Sequence, residues 1–396
     1  EEDLDKIKDY EKLINIESPL FKVISKTKNF GKLFAIHISQ TIIDKYKLKD
    51  EYLKFFGKLN NLNINYASIF YYCEDINKIN YLKEINIDFN KIKRLTIEND
   101  YEHEDNIYKK QINNFFVILF SINNINNNLI YLKIKMKPCK INPELFEYIN
   151  NFKLLRYLYI ENINFEKDFT IKLNILKLLS IVSCENIKLT GISNKELNKL
   201  KISYNEISDI KILEKVDFKE LKELDLSYNE ISDIKILEKV NFKELNELDL
   251  SNNGISDIKI LEKANFKELK KLDLSNNQIS NIKILENVYF KQLIELKLSD
   301  NKISEIKILE KVNFENLKEL DLSNNDISDI KILQKVNFKK IEVLKLNGNK
   351  ISNIKILEKV DFKELKKLDI SNNEISDIKE LYLSNNNISD IECLLI

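Results

Sequence analysis

The chain has 396 residues, with 63 Lys and Arg against 63 Asp and Glu, so its formal net charge is zero. A neutral chain lacks the basic excess that general binding to nucleic acid requires, and no apolar run approaches the roughly 18 residues of a membrane span. Only five glycines are present, which leaves no glycine-rich phosphate loop. We therefore predict no nucleic-acid partner, no membrane insertion and no cofactor.

The first segment, residues 1–30, is predicted to form a helical N-terminal cap. Leu4, Ile7, Leu13 and Ile14 recur at the spacing of an amphipathic helix. Such a helix can shield the first apolar layer of the structure that follows.

From residue 31 to 196, short apolar alternations recur at irregular intervals, and each predicts a strand. They are Leu33-Ile36-Ile38, Leu59-Leu62-Ile64, Ile92-Leu95-Ile97, Leu129-Leu132-Ile134, Leu155-Leu158-Ile160 and Leu176-Leu179-Ile181. Alternation of this kind places apolar side chains on one face of a strand. We interpret this region as degenerate, irregular repeats.

From residue 197 to 396 the repeat is regular, with a period of 24 residues and a shortened last unit that begins at Ile378. The full units begin at Leu197, Leu221, Leu245, Leu269, Leu293, Leu317, Ile341 and Leu365. Each reads L-x-x-L-x-L-x-x-N, followed by apolar residues three apart. Because no unit can bury its own apolar face, stability must come from its neighbours.

The unit that begins at Leu221 illustrates how the pattern predicts structure. Leu224 and Leu226 would face the core, whereas Glu223, Asp225 and Ser227 would face solvent. The Asn that ends each strand is predicted to stack with its equivalents as a buried ladder that bonds the backbone of neighbouring coils.

The second part of each unit predicts an outer helix and an aromatic column. Apolar residues three apart indicate a short helix over residues 234–240, with Ser232 or Asp233 as its N-cap. Phe242 and its equivalents in the other units are predicted to pack in the core rather than to bind a ligand.

This frame resembles the leucine-rich repeat family, whose L-x-x-L-x-L-x-x-N/C-x-L signature it matches. The resemblance implies an α/β fold, a right-handed solenoid shaped as a horseshoe, with a parallel sheet on the concave face and short helices on the convex face. The N-x-I-S-D-I step is similar to internalin-like adhesins and to phosphatase-regulating repeat proteins, which bind other proteins without catalysis. We therefore predict a non-catalytic protein-interaction scaffold, with a secreted or surface adhesin and a regulatory subunit of an enzyme as alternatives.

Partner binding is predicted on the concave face, where the sheet presents two columns of polar side chains. Asp225, Asp249 and Asp273 would stand one above another, although like charges repel at that separation. A carboxylate column flanked by tyrosines suits a basic segment of a protein partner. The candidate binding residues are Tyr204, Glu223, Asp225, Tyr228, Glu247, Asp249 and Asp273. The alternative is that near-identical units repeat a solvated surface.

No catalytic or metal site is predicted. The two histidines are His37, in an apolar strand, and His103, in a contiguous acidic run that cannot easily converge on one ion. The chain is therefore predicted not to be an enzyme.

Location is inferred from the four cysteines, which lie far apart in the sequence. Dispersed cysteines favour reduced thiols and a cytoplasmic location, with secretion as the alternative.

A second docking surface is predicted at the C-terminus. The chain ends in IECLLI, an apolar segment without a polar cap, and repeat arrays usually need a polar terminal unit.

Overall fold

The computed structural model describes residues 35–39, 66–70, 92–98, 116, 128–141, 145–165, 169–185, 187, 189–192, 196–215, 219–375 and 390–392. The chain divides into two compact units, one of residues 1–137 and 151–155 and the other of residues 138–150 and 156–396. The predicted N-terminal cap over 1–30, His103 and the last residues 393–396 lie outside the described residues.

The first unit contains parallel strands in chain order. They are β1 (Ala35–Ser39), β2 (Tyr66–Phe70), β3 (Arg94–Glu98) and β4 (Tyr131–Ile141), which extends beyond this unit. Strands β1, β3 and β4 contain the predicted alternations. The alternation at Leu62 and Ile64 lies outside the described residues, and β2 instead pairs Ala67 and Ile69 with Ile36 and Ile38 of β1.

The second unit is a longer parallel array in which each strand pairs with the equivalent strand of the next coil. Its order is β5-β7-β9-β10-β11-β12-β13-β14-β15-β16-β17. The bounds are β5 (Tyr157–Phe165), β7 (Leu178–Val182), β9 (Lys199–Ser203), β10 (Glu223–Asp225), β11 (Glu247–Asp249), β12 (Lys271–Asp273), β13 (Glu295–Lys297), β14 (Glu319–Asp321), β15 (Val343–Lys345), β16 (Lys367–Asp369) and β17 (Asp390–Glu392). Leu224 pairs with Leu248 and Leu248 with Leu272, so the register follows the 24-residue period.

Irregular elements precede the regular coils of the second unit. Helix α1 (Leu145–Ile149) packs Phe146 against Phe165, with ring centroids 5.4 Å apart. Strands β6 (Phe169–Ile171) and β8 (Leu189–Ile192) form a separate parallel pair. The side chain of Asn150 donates to the carbonyl of Thr170 at 2.9 Å and so ties the end of α1 to β6.

The predicted outer helix is a short 3₁₀ turn, which corrects the expectation of a helix over residues 234–240. The turns are Lys211–Lys215, Lys235–Glu238, Lys259–Glu262, Lys283–Glu286, Lys307–Glu310, Lys331–Gln334 and Lys355–Lys359. Apolar residues spaced by three match the 3.0 residues per turn of a 3₁₀ helix better than the 3.6 of an α-helix. The N-cap of the turn is Ile234, which makes no side-chain cap bond, so the prediction of Ser232 or Asp233 as N-cap is wrong. Asp233 lies one residue earlier, and its carboxylate accepts the Lys235 N–H at 2.9 Å.

Two internal columns hold neighbouring coils together, as the sequence predicts. The side-chain amide of Asn277 donates to the carbonyl of Leu250 in the preceding coil at 3.0 Å, and its oxygen accepts the Ile255 N–H at 2.9 Å. Phe242, Phe266, Phe290 and Phe314 are buried, with centroids of successive rings 5.9–6.4 Å apart. These columns satisfy backbone groups and fill the space between sheet and turns, so the second unit is a solenoid of stacked repeats.

Candidate functional site

The strands of the second unit place the candidate acidic residues in two columns on one face of the sheet. Leu224 is 1% exposed, whereas Glu223 and Asp225 on either side of it are half-buried and point away from the core. Glu223 pairs in register with Glu247, and Asp225 with Asp249. The next strand adds Asp273 beside Asp249.

Lysines on neighbouring strands neutralise most of these carboxylates. The Lys201 Nζ lies 2.8 Å from the Asp225 Oδ2, and the Lys271 Nζ lies 2.8 Å from the Glu247 Oε1. Glu223 forms an ion pair with Lys199 and Asp273 one with Lys297. Most carboxylates of the candidate acidic surface therefore belong to ion pairs between neighbouring strands.

Asp249 is the exception among the five candidate carboxylates. It lies between Asp225 and Asp273, and in the described part of the chain no lysine reaches ion-pair distance of its carboxylate. Burial raises the pKa of Asp249, and the charges of Asp273 and Asp225 raise it further, against the lowering effect of hydrogen bonds from Ser251. Asp249 therefore carries a charge that its own surroundings disfavour.

The recurring Asp also has a structural role that the sequence analysis missed. In D-L-S, the Asp225 Oδ1 accepts the N–H of Ser227 at 3.0 Å and its hydroxyl at 2.6 Å. Ser227 is 5% exposed, so the prediction that it faces solvent is wrong. Ser227 is buried at the bend after the strand, where the Asp225 carboxylate accepts its hydroxyl and its backbone N–H.

The same geometry recurs further along the array. Asp321 and Asp369 each accept both bonds from the serine two residues on, and they are 7% and 8% exposed. Part of the aspartate column therefore caps the strand ends, which explains how like-charged residues persist in register.

Tyr204 and Tyr228 form an exposed stacked pair at the ends of β9 and β10. They are 48% and 44% exposed, and their ring centroids lie 3.9 Å apart with planes 10° from parallel. A hydrogen bond with Tyr228 raises the pKa of Tyr204, and the charges of Asp225 and Asp249 raise it further. The pair thus lies within the field of the two carboxylates.

Both tyrosines occupy a backbone conformation that suits other residues better. Their φ angles are +61° and +53°, in the left-handed region. The equivalent residues of later coils are Asn252, Asn276, Asp300, Asn324, Gly348 and Asn372, types that adopt this region at lower cost. Tyrosine is therefore not placed here by backbone preference.

An apolar part of the same face lies on β5 and β7, and the sequence analysis did not single it out. Tyr157 pairs with Leu178, which pairs with Lys199 of β9, so all three belong to the first column. Tyr157 is 36% exposed, and Tyr159 and Leu178 are half-buried. The frame Leu155-x-x-Leu158-x-Ile160 already assigns Tyr157 and Tyr159 to the outward positions, so this signal was available.

The described residues contain no group of three or more His, Cys, Asp or Glu side chains arranged to hold a metal ion. Cys184, at the ladder position, is buried, and burial raises the pKa of its thiol to about 12. None of the helices in the described ranges combines the length and apolar character of a membrane span.

Comparison with known proteins identifies the repeat. Family models described as "Leucine Rich repeats (2 copies)" match residues 243–287 and 291–335, and models described as "Leucine Rich repeat" match residues 220–234 and 364–378. A search of curated proteins finds no match.

Solved structures are similar in fold. An internalin from Listeria monocytogenes is 22% identical, with 78% of this chain and 82% of that chain covered and a TM-score of 0.55. The TLR13–ssRNA13 complex is 22% identical, with coverage of 79% and 44% and a TM-score of 0.51. These likenesses agree with the parallel sheet, the buried leucines and the asparagine ladder. The matched residues of the second unit therefore carry leucine-rich repeats.

Proposed function

We propose that the chain is a non-catalytic protein-interaction scaffold that binds a basic segment of a protein partner on the exposed sheet face of the second unit. This face corresponds to the concave wall of the predicted horseshoe. The binding residues would be Tyr204, Glu223, Asp225, Tyr228, Glu247, Asp249 and Asp273, which share that face. The observation that carries the proposal is Asp249, a carboxylate without a lysine partner that lies near an exposed tyrosine pair.

A cation from a partner would offset the unfavourable charge of Asp249. The raised pKa of Asp249 shows that the free protein stabilises this carboxylate poorly. An Arg or Lys at this point would supply the charge that Lys201 supplies to Asp225. The tyrosines would add the aromatic contact area that is typical of binding hot spots.

The aspartate column alone does not distinguish binding from structure, because the D-L-S bonds give it a role within the protein. The tyrosine pair has no such role in the backbone, whose φ angles favour Asn, Asp or Gly. The proposal therefore depends more on the tyrosines and on Asp249 than on the other carboxylates.

For location, the likeness to an internalin favours the secreted or surface alternative, in which the chain would act as an adhesin. The predicted cytoplasmic location gains no support from the comparisons. A regulatory subunit of an enzyme stays an alternative prediction, as does docking through the C-terminal IECLLI segment.

The test is affinity capture of partners by the intact chain, followed by binding measurements with Tyr228→Asn/Asp249→Asn. We expect the double variant to lose capture while staying at least as thermally stable as the unmodified chain, because Asn suits the left-handed backbone at Tyr228 and its side-chain oxygen can still accept the Ser251 bonds at Asp249. The control is Tyr289→Asn/Glu315→Gln, which removes an exposed tyrosine and an exposed carboxylate outside the strand columns. Undiminished capture by the first variant would place the site elsewhere.

A further inference from the structure

We infer, on the basis of the proposed function, that the partner presents one extended segment running across the strands, with an apolar side chain over Tyr157, Tyr159 and Leu178 and an arginine at Asp249. The two ends of this surface differ in chemistry and lie on one face of the second unit. We call them the aromatic end and the acidic end.

The aromatic end is unlike the rest of the array. At its two outward positions, β5 carries Tyr157 and Tyr159, and Leu178 of β7 lies in register beside Tyr157. In the regular coils the same positions are mostly charged, as with Glu223 and Asp225 on β10. An apolar side chain laid across these residues would remove apolar surface from water.

The middle of the surface is electrically neutral. Lys199 and Lys201 of β9 lie between the two ends, and they form ion pairs with Glu223 and Asp225 of β10. Because these charges are already matched, the residues of the segment that cross them need no complementary charge.

At the acidic end, the geometry favours arginine over lysine. The planes of Tyr204 and Tyr228 are nearly parallel, and both rings are exposed. A planar guanidinium can stack on an aromatic face and also donate a hydrogen bond to the Oδ2 of Asp249, whose Oδ1 already accepts two bonds from Ser251. An ammonium group is a compact, strongly hydrated charge that cannot stack in this way.

The strand order sets the distance between the two ends. From β5 the face passes β7, β9 and β10 to reach Asp249 on β11, which is four strand-to-strand steps. At about 4.8 Å per step the separation is about 19 Å. An extended chain advances about 3.3 Å per residue, so about six residues would separate the apolar side chain from the arginine.

The test is selection of random 12-residue peptides displayed on phage against the intact protein, with counter-selection on Tyr228→Asn/Asp249→Asn. We expect enriched peptides to carry an arginine and a large apolar residue about six positions apart. In fluorescence polarisation with one such peptide, replacing its arginine by lysine should weaken binding by roughly tenfold or more.

A double-mutant cycle tests the aromatic end. Tyr159→Ala should weaken binding of the selected peptide. It should have little effect on binding of the same peptide with its apolar residue changed to Ala. Tyr289→Ala should leave the binding of both peptides unchanged, since Tyr289 lies outside the strands.

The outcomes separate this inference from the proposed function. Enriched peptides that lack the arginine, or that lack a large apolar residue about six positions from it, would overturn the inference. A selection that enriches no peptide would also overturn it. The proposed function would still stand in those cases if the captured natural partner were lost on Tyr228→Asn/Asp249→Asn.

Discussion

At the scale of single residues, Asp249 and Asp321 occupy the same repeat position but differ in their ion pairs. Asp249 keeps the hydrogen bonds to Ser251 that its equivalents make, with the hydroxyl at 2.7 Å and the backbone N–H at 2.9 Å. Asp321 has the same bonds and also an ion pair with Lys345 at 3.1 Å. Asp249 therefore differs from Asp321 in its neighbours and not in its local geometry.

We predict that Asp249→Asn stabilises the protein at neutral pH. The folded-state pKa of Asp249 lies above its usual value, so its ionisation destabilises the folded state at neutral pH. This cost decreases as the pH falls below the folded-state pKa and is gone below the usual pKa of the unfolded chain. Removing a carboxylate that faces two like charges should contribute up to about 1 kcal/mol, or about 2–4 °C in Tm. Thermal unfolding followed by circular dichroism across the acid range would show the gain at pH 7 and its loss in acid.

The matched control for this prediction is Asp321→Asn, which loses an ion pair and should lower Tm or leave it unchanged. If Asp249→Asn lowers Tm at pH 7 as much as the control does, the charge of Asp249 is not a cost in the folded state.

At the scale of elements, the asparagine ladder explains why a strand of three residues can be stable. Asn325 donates from its side-chain amide to Leu298, Leu322 and Ser323 carbonyls at 2.9–3.2 Å. Its oxygen accepts the Ile303 N–H of the preceding coil at 2.9 Å. One side chain therefore closes the strand end of its own coil and joins it to the preceding coil.

We predict that Asn325→Ala lowers the free energy of unfolding by about 2–4 kcal/mol, because it leaves several buried backbone groups unpaired. Urea unfolding would measure the loss. Asn313→Ala, at an exposed position in the same coil region, should change it by less than about 0.5 kcal/mol. Equal losses for the two variants would show that the ladder contributes little.

At the scale of the whole molecule, the second unit depends on contacts between neighbouring coils. Phe290 is 2% exposed and contacts the rings of both adjacent coils at 6.4 Å between centroids. Each coil buries its apolar side against the next, so damage to one coil also weakens its neighbours.

We predict that Phe290→Ala lowers the free energy of unfolding by about 3–5 kcal/mol through the cavity it creates. Hydrogen exchange should rise most in the coils on either side of residue 290 and less in distant coils. Tyr289→Ala, which removes the exposed side chain next to Phe290 in the sequence, should cost less than about 1 kcal/mol. An even rise in exchange along the described array would contradict coupling between nearest neighbours.

Much of this structure could be predicted because the period of the pattern and the period of the fold coincide. Leu224 and Leu226 are buried, the Asn column bonds neighbouring coils, and the Phe column packs in the core, as the 24-residue repeat indicates. The outer helix is a 3₁₀ turn over Lys235–Glu238 and is shorter than the predicted residues 234–240. The predicted exposure of Ser227 was also wrong, because Asp225 bonds its hydroxyl and backbone N–H at the buried bend after the strand.

The sequence by itself determined the repeat, its register and its core, since these depend on apolar residues at fixed spacing. Only the tertiary structure decided which carboxylates form ion pairs with lysines. Lys201 reaches Asp225 and Lys297 reaches Asp273, whereas Asp249 has a like charge on each side. The tertiary structure also placed Tyr204 against Tyr228. Pairing of this kind depends on side-chain reach between coils, which are 24 residues apart in the chain but adjacent in the sheet.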